Sequence, residues 1–141
     1  MRLRTALRTG VLSLALCLGG AGTASAFNYG TLEVWHGGRL EGKGYGSLDR
    51  INYNQARLKS VLADTRRDGT RTFSSAKGSN GKQTFSVQSG RRADGQSTFA
   101  AMADRYGTSS GAMIGFRGYV KICQDVNLSL DWCSNEVSGN L

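Results

Sequence analysis

The octapeptide at residues 66–73, Arg66-Arg67-Asp68-Gly69-Thr70-Arg71-Thr72-Phe73 (RRDGTRTF), returns twenty-five residues later. The second copy is Arg91-Arg92-Ala93-Asp94-Gly95-Gln96-Ser97-Thr98-Phe99 (RRADGQSTF). Asp-Gly is a turn signal, because Gly accepts positive φ and Asp bonds to nearby backbone N–H groups. In both copies a Thr- or Ser-containing run and a Phe follow the turn, so the pattern reads as turn then strand, used twice. Ser79-Asn80-Gly81 supplies a third turn between them, and residues 84–88 (TFSVQ) alternate as a half-buried strand does.

Working outward, residues 29–35 (YGTLEVW) also alternate, with Leu32 and Val34 on one face and Glu33 on the other. Glycines follow at period two in residues 37–46 (GGRLEGKGYG), which suits a strand approached closely by other backbone and not a helix. In residues 48–53 (LDRINY), Ile51 and Tyr53 share a face. Residues 111–122 (GAMIGFRGYVKI) read as one apolar strand, with Met113, Gly115 and Arg117 on one side and Ile114, Phe116 and Gly118 on the other. Residues 54–69 fit two patterns. Leu58, Val61, Leu62 and Thr65 have helical spacing; Ala56, Leu58, Ser60 and Leu62 share one face of a strand. Residues 97–106 admit a short helix as the alternative to a strand. Turns recurring every 8–12 residues predict an all-β fold, a small antiparallel β-sandwich or partly open barrel.

The N-terminus has the form of a secretory leader. Arg2, Arg4 and Arg8 precede a short apolar run, residues 11–18 (VLSLALCL), and Ala24-Ser25-Ala26 is a small-residue cleavage site. The run falls short of the ~20 residues a membrane span needs. The expected organisation is a signal peptide at residues 1–26 and one sandwich domain at 27–141, secreted to the extracellular space, with no membrane span. Removing the leader takes three arginines and no acid, so the excess positive charge falls from +8 to +5. That balance favours anionic polymers, including those of the cell wall. The absence of proline excludes collagen-like repeats and proline-rich linkers.

Cys17 lies in the leader, which leaves Cys123 and Cys133 as an even pair for an oxidising compartment. With nine residues between them they predict a disulfide across a hairpin formed by residues 118–132. Two Cys and one distant His do not make a zinc site, so neither metal nor cofactor is expected.

A leader, Asp64-Thr65 with Asp68-Gly69, the Asp94-Gly95 turn, and Tyr119-Val120-Lys121-Ile122-Cys123-Gln124-Asp125 followed by Cys133 together resemble small secreted all-β proteins common in actinobacteria. The resemblance covers about two thirds of the chain after the leader. That group carries no established activity. The resemblance therefore implies fold and export, and a strand through residues 58–65, and it transfers no catalytic residue.

Few residues suggest chemistry. His36 is the sole histidine. A general base needs an orienting partner, and Glu33, three residues away on a strand, points to the other face. No G-x-S-x-G elbow and no phosphate-binding G-x-x-x-x-G-K-[ST] motif occurs. Asp64, Asp68, Asp94 and Asp125 lack calcium-loop spacing. What remains is a basic and aromatic surface: Arg66, Arg67, Arg91 and Arg92, with Arg71 and Lys43, and aromatics Trp35, Tyr45, Tyr53 and Trp132. Arginine grips carboxylate or phosphate in bidentate fashion, and exposed rings stack on sugars or bases. The expected function is a non-enzymatic binding or interaction module at or near the cell surface. Its partner is expected to be an anionic or carbohydrate wall polymer or an extracellular protein, without a nucleic-acid motif. The alternative is a small secreted hydrolase of ribonuclease-like size and charge with His36 as base.

Overall fold

A computed structural model describes residues 25–126 and 130–141. Among them there is no helix. Eleven strands form two antiparallel sheets: β1 (Ala26–Asn28), β2 (Leu32–His36), β3 (Arg39–Arg50), β4 (Gln55–Asp64), β5 (Thr72–Ser79), β6 (Thr84–Gln88), β7 (Ala100–Ala101), β8 (Arg105–Thr108), β9 (Arg117–Gln124), β10 (Trp132–Cys133) and β11 (Val137–Asn140). In the first sheet β3 and β4 are the long central pair. β1 and β2 share the outer edge of β3, and β7 and β8 share that of β4. In the second, β5 and β9 are central, β6 lies beyond β5, and β10 and β11 share the edge of β9. The sheets stay open at their edges, so the sandwich form of the expectation holds and the barrel does not.

The period-two reading of residues 54–69 is the one that folds. Ala56, Leu58, Ser60 and Leu62 are all buried on the inner face of β4. Both edges of β4 are paired, to β3 and to β7 and β8, and a helix there leaves those partners without a ladder. The core joins Val34, Leu48, Leu58 and Leu62 of the first sheet to Ala76, Phe85, Val120 and Ile122 of the second. Tyr29, Met113 and Phe116 enter it from loops.

Glycine on β3 sets how closely the sheets approach. A Cβ on Gly42 would collide with Thr72 Oγ1 and Gln124 Nε2 of the second sheet. Since even-numbered Gly42, Gly44 and Gly46 face inward, Lys43 and Tyr45 face outward. The Asp-Gly turns form as expected, with Gly69 at φ 84° and Gly95 at φ 70°.

Several expectations are corrected. After the second Asp-Gly turn the strand is only the two residues of β7, and Phe99 lies outside it. Residues 97–106 contain no helix. Residues 111–116 form a loop, not the first half of a strand. Met113 and Phe116 turn inward together to cap the core, while Ile114 is exposed. Ile51 and Tyr53 belong to the β3–β4 loop and not to β3. In the glycine-rich run, Gly37-Gly38 forms the hairpin turn that joins β2 to β3, with both residues at positive φ.

Cys123 and Cys133 are bonded, and they are direct ladder partners of β9 and β10. Their Cα atoms are 4.0 Å apart, closer than the ~5.5–6 Å commonest for disulfides, because the two residues sit opposite each other in the ladder. The expected paired return of residues 124–132 is realised at Trp132, opposite Gln124. Leu128 of that stretch lies outside the described residues, as do residues 1–24, where the leader is expected.

Candidate binding surface

The outer face of the first sheet carries an aromatic and cationic patch. Glu33 of β2 stands opposite Lys43 of β3, and its carboxylate accepts a bond from Trp35 Nε1 at 2.9 Å. That bond holds the Trp35 ring on the outer side, where it is 57% exposed. Tyr45 follows Lys43 on the same face. Phe99 reaches over from the segment before β7 and meets Tyr45 edge to face, with centroids 5.1 Å apart. Lys43 Nζ lies 5.0 Å from the Phe99 centroid, a cation–π arrangement. Tyr45 and Phe99 are each 41% exposed.

Trp35 and Tyr45 were both candidates from sequence, and the fold brings them to one face. Phe99 was read only as a strand residue after a turn. The pattern holds no signal for its position, because β7 is too short for alternation to show.

The arginine pairs divide. The two Asp-Gly turns do lie together: Asp68 N and Gly69 N donate to the two carboxylate oxygens of Asp94 at 3.0 and 3.1 Å. Gly95 N donates to Asp64 Oδ1 at 2.9 Å. Arg66 pairs with the buried Glu41 at 3.7 Å. Arg67 packs against the Gly95 turn. Arg92 Nη2 donates to the Thr98 carbonyl at 3.1 Å. Arg91 is bonded to Asp125 at 2.9 Å and lies over the Phe73 ring of β5. Trp35 and Tyr45 stand on strands of the first sheet, whereas Arg91 contacts Phe73 of the second.

Under the turns is a polar network that sequence reading took for turn residues alone. Asp64 is fully buried between the sheets and accepts from Thr72 N (3.0 Å), Thr72 Oγ1 (3.1 Å) and Gly95 N. Gln124 Nε2 donates to Thr72 Oγ1, and Gln124 Oε1 accepts from Thr70 Oγ1. Burial raises the Asp64 carboxyl, against the lowering effect of those N–H and O–H donors. Glu41 is 4% exposed and one of its oxygens has no ordinary donor. Burial raises it, and the adjacent Asp68 carboxyl raises it further, with Arg66 opposing. Burial also pushes Asp68 upward, but bonds from Thr70 and Glu41 outweigh it and Asp68 falls below the usual range. The two neighbouring carboxyls are thus shifted in opposite directions, Glu41 upward and Asp68 downward.

His36 stacks face to face on Trp132, centroids 3.5 Å apart and planes within 5°. The carboxylate within its electrostatic reach is the buried Glu41. Among the described residues no group of three or more His, Cys, Asp or Glu is placed to hold a metal ion. None of them forms a helix long and apolar enough to cross a membrane. Compared with protein-family models, curated proteins and solved structures, the chain gives no match.

Proposed function

We propose that the chain is a secreted, non-enzymatic binding module that attaches to carbohydrate polymers at or near the cell surface. The observation carrying this reading is the outward patch of Trp35, Lys43, Tyr45 and Phe99. Flat sheet faces with exposed rings suit extended sugar chains, whose C–H faces stack on aromatics while hydroxyls accept bonds from Lys43 and donate them to Glu33. The disulfide and the leader support an extracellular site of action. A hydrolase built on His36 is less well supported. It needs a carboxylate that substrate can reach, and Glu41 is buried beneath Arg66.

The test is cosedimentation of the purified protein with cell-wall fractions. Retention that survives raised salt and is lost in the Trp35→Ala/Tyr45→Ala double variant is the expected result. Equal retention of both forms overturns the assignment to this face. Retention lost with salt in both forms points to charge on a wall polyanion instead.

A further inference from the structure

Arg50 ends β3 at the pole opposite the Asp-Gly turns. There the β3–β4 loop and the loop before β9 face each other across a groove of about 410 Å³, within the ~300–1,000 Å³ typical of small-molecule sites. Its walls are tied by the fold itself. Met113 N donates to the Tyr53 carbonyl at 2.6 Å and Ser109 N to that of Asn54 at 2.8 Å. Arg50 Nη1 donates to the Met113 carbonyl at 3.1 Å, and Asn80 Nδ2 to that of Ile114 at 3.1 Å. The groove is thus preformed.

Ile51, Tyr53, Met113 and Ile114 give it apolar walls. Tyr53 is 70% and Ile114 76% exposed. Large apolar side chains grouped outside the core mark a contact surface. No acidic side chain lines the groove. The neighbouring acid on β3, Asp49, is bound to Arg57 at 3.0 Å on the other face of the sheet. The half-buried Arg50 guanidinium therefore has one N–H on a carbonyl and no carboxylate partner among the described residues. Its planar fork of five donors matches a carboxylate, and a cation set in apolar surroundings without a counter-charge is costly.

The geometry points to a second binding site in this groove, for an apolar monocarboxylate of the fatty-acid class. Its carboxylate sits on Arg50 and its aliphatic chain lies along Ile51, Tyr53 and Ile114. The site is independent of the aromatic patch on the first sheet.

Decanoate and its uncharged methyl ester are the probes, titrated into the purified protein by calorimetry, with amide shifts in NMR locating the site. Saturable decanoate binding is expected, with shifts at residues 51–53 and 112–114. Methyl decanoate, and decanoate with Arg50→Gln, are expected to bind at least about tenfold more weakly, a loss of ~1.4 kcal/mol or more. Ile114→Asp places a negative charge at an exposed position of the rim and is expected to abolish decanoate binding with the fold unchanged by circular dichroism. If Arg50→Gln does not fold, the ester comparison and Ile114→Asp decide. The Trp35→Ala/Tyr45→Ala variant is expected to bind decanoate normally, which separates this site from wall attachment. Absence of saturable binding, equal binding of acid and ester, or shifts confined to other residues overturns the proposal.

Discussion

Glu41 and Asp68 show how two adjacent carboxyls take opposite roles once one is buried. A group whose pKa is raised in the folded state stabilises the fold below its unfolded value, and that contribution is lost as pH rises through the folded value. Glu41 and Asp64 are both of this kind. Asp68 is the reverse: its contribution is present above the ordinary aspartate value of about 3.9 and is lost as pH falls through its lowered one. The expected outcome is a melting temperature that declines as pH rises from about 4.3, the ordinary glutamate value, toward neutrality. Glu41→Gln removes the buried titrating carboxyl, so its profile is expected to be flatter and its melting temperature at neutral pH no lower than that of the unaltered protein. Thermal melts across that range check it; identical slopes for the two proteins reject a contribution from Glu41. Gly42 makes a packing prediction of the same scale. Gly42→Ala forces Thr72 and Gln124 apart, and overpacking of this kind costs about 1–3 kcal/mol, measurable by denaturant unfolding. The period-two glycines announced close approach in the sequence. The partners Thr72 and Gln124 were not legible, because polar residues between two sheets look the same in sequence as polar residues on a turn.

Among the elements, β4 and the Cys hairpin carry the clearest lesson about pattern. Residues 54–69 read alone lean slightly to helix, since Leu58 and Leu62 occupy one face in either pattern and Val61 and Thr65 add helical spacing. Pairing along both edges decides the matter, and that pairing is information held by β3, β7 and β8 and not by β4. The opposite failure occurs at residues 111–116. An apolar run was read as strand, yet Gly115 adopts φ 66°, and Met113 and Phe116 cap the core from a loop. Apolar composition reports burial but does not distinguish a loop plug from a ladder. At the C-terminal hairpin, alternation and Cys spacing agreed and the strand pair formed. The bridge closes a loop of sequence separation 10, and in the chain-entropy account a loop of about that length contributes roughly 2.5–3 kcal/mol. Cys123→Ser is expected to lose about 2–5 kcal/mol, read as a lowered melting temperature. A thiol titration of the purified protein spanning residues 27–141 is expected to find none free; two free thiols, or an unchanged melt, reject the staple.

At the scale of the whole molecule, the remaining question is how an open sandwich is closed where the two sheets meet. β1 is the element that does it at one seam. Phe27 pairs with Leu48 in the first sheet. Its ring fills the space left by Gly118 and Gly139 of the second, where a Cβ on either glycine would strike it. Opposite that seam, Phe85 of β6 fills the space beside Gly107 of β8, so the same device, an aromatic ring against glycine, serves both sides. The β1 seam also coincides with the expected end of the leader. Cleavage after Ala26 makes Phe27 the first residue, removing the Ala26–Asp49 pair and the bond from Arg50 N to the Ser25 carbonyl. It keeps the Phe27 ring and its pairing. An exported chain beginning at Phe27 is therefore expected to fold, and intact mass of the secreted protein is expected to match residues 27–141. A secreted species retaining residues 1–26 rejects the leader. The ring itself is expected to contribute to stability, because it packs on Gly139 and, with Leu48 and Leu141, on Gly118, and neither glycine has a side chain to replace it. Phe27→Ala opens a cavity at the seam. Buried Phe→Ala changes cost about 3–5 kcal/mol, and the half-buried Phe27 is expected to lose somewhat less, seen as a lowered denaturation midpoint with circular dichroism still of the β type. An unchanged midpoint places the closure of the sandwich elsewhere.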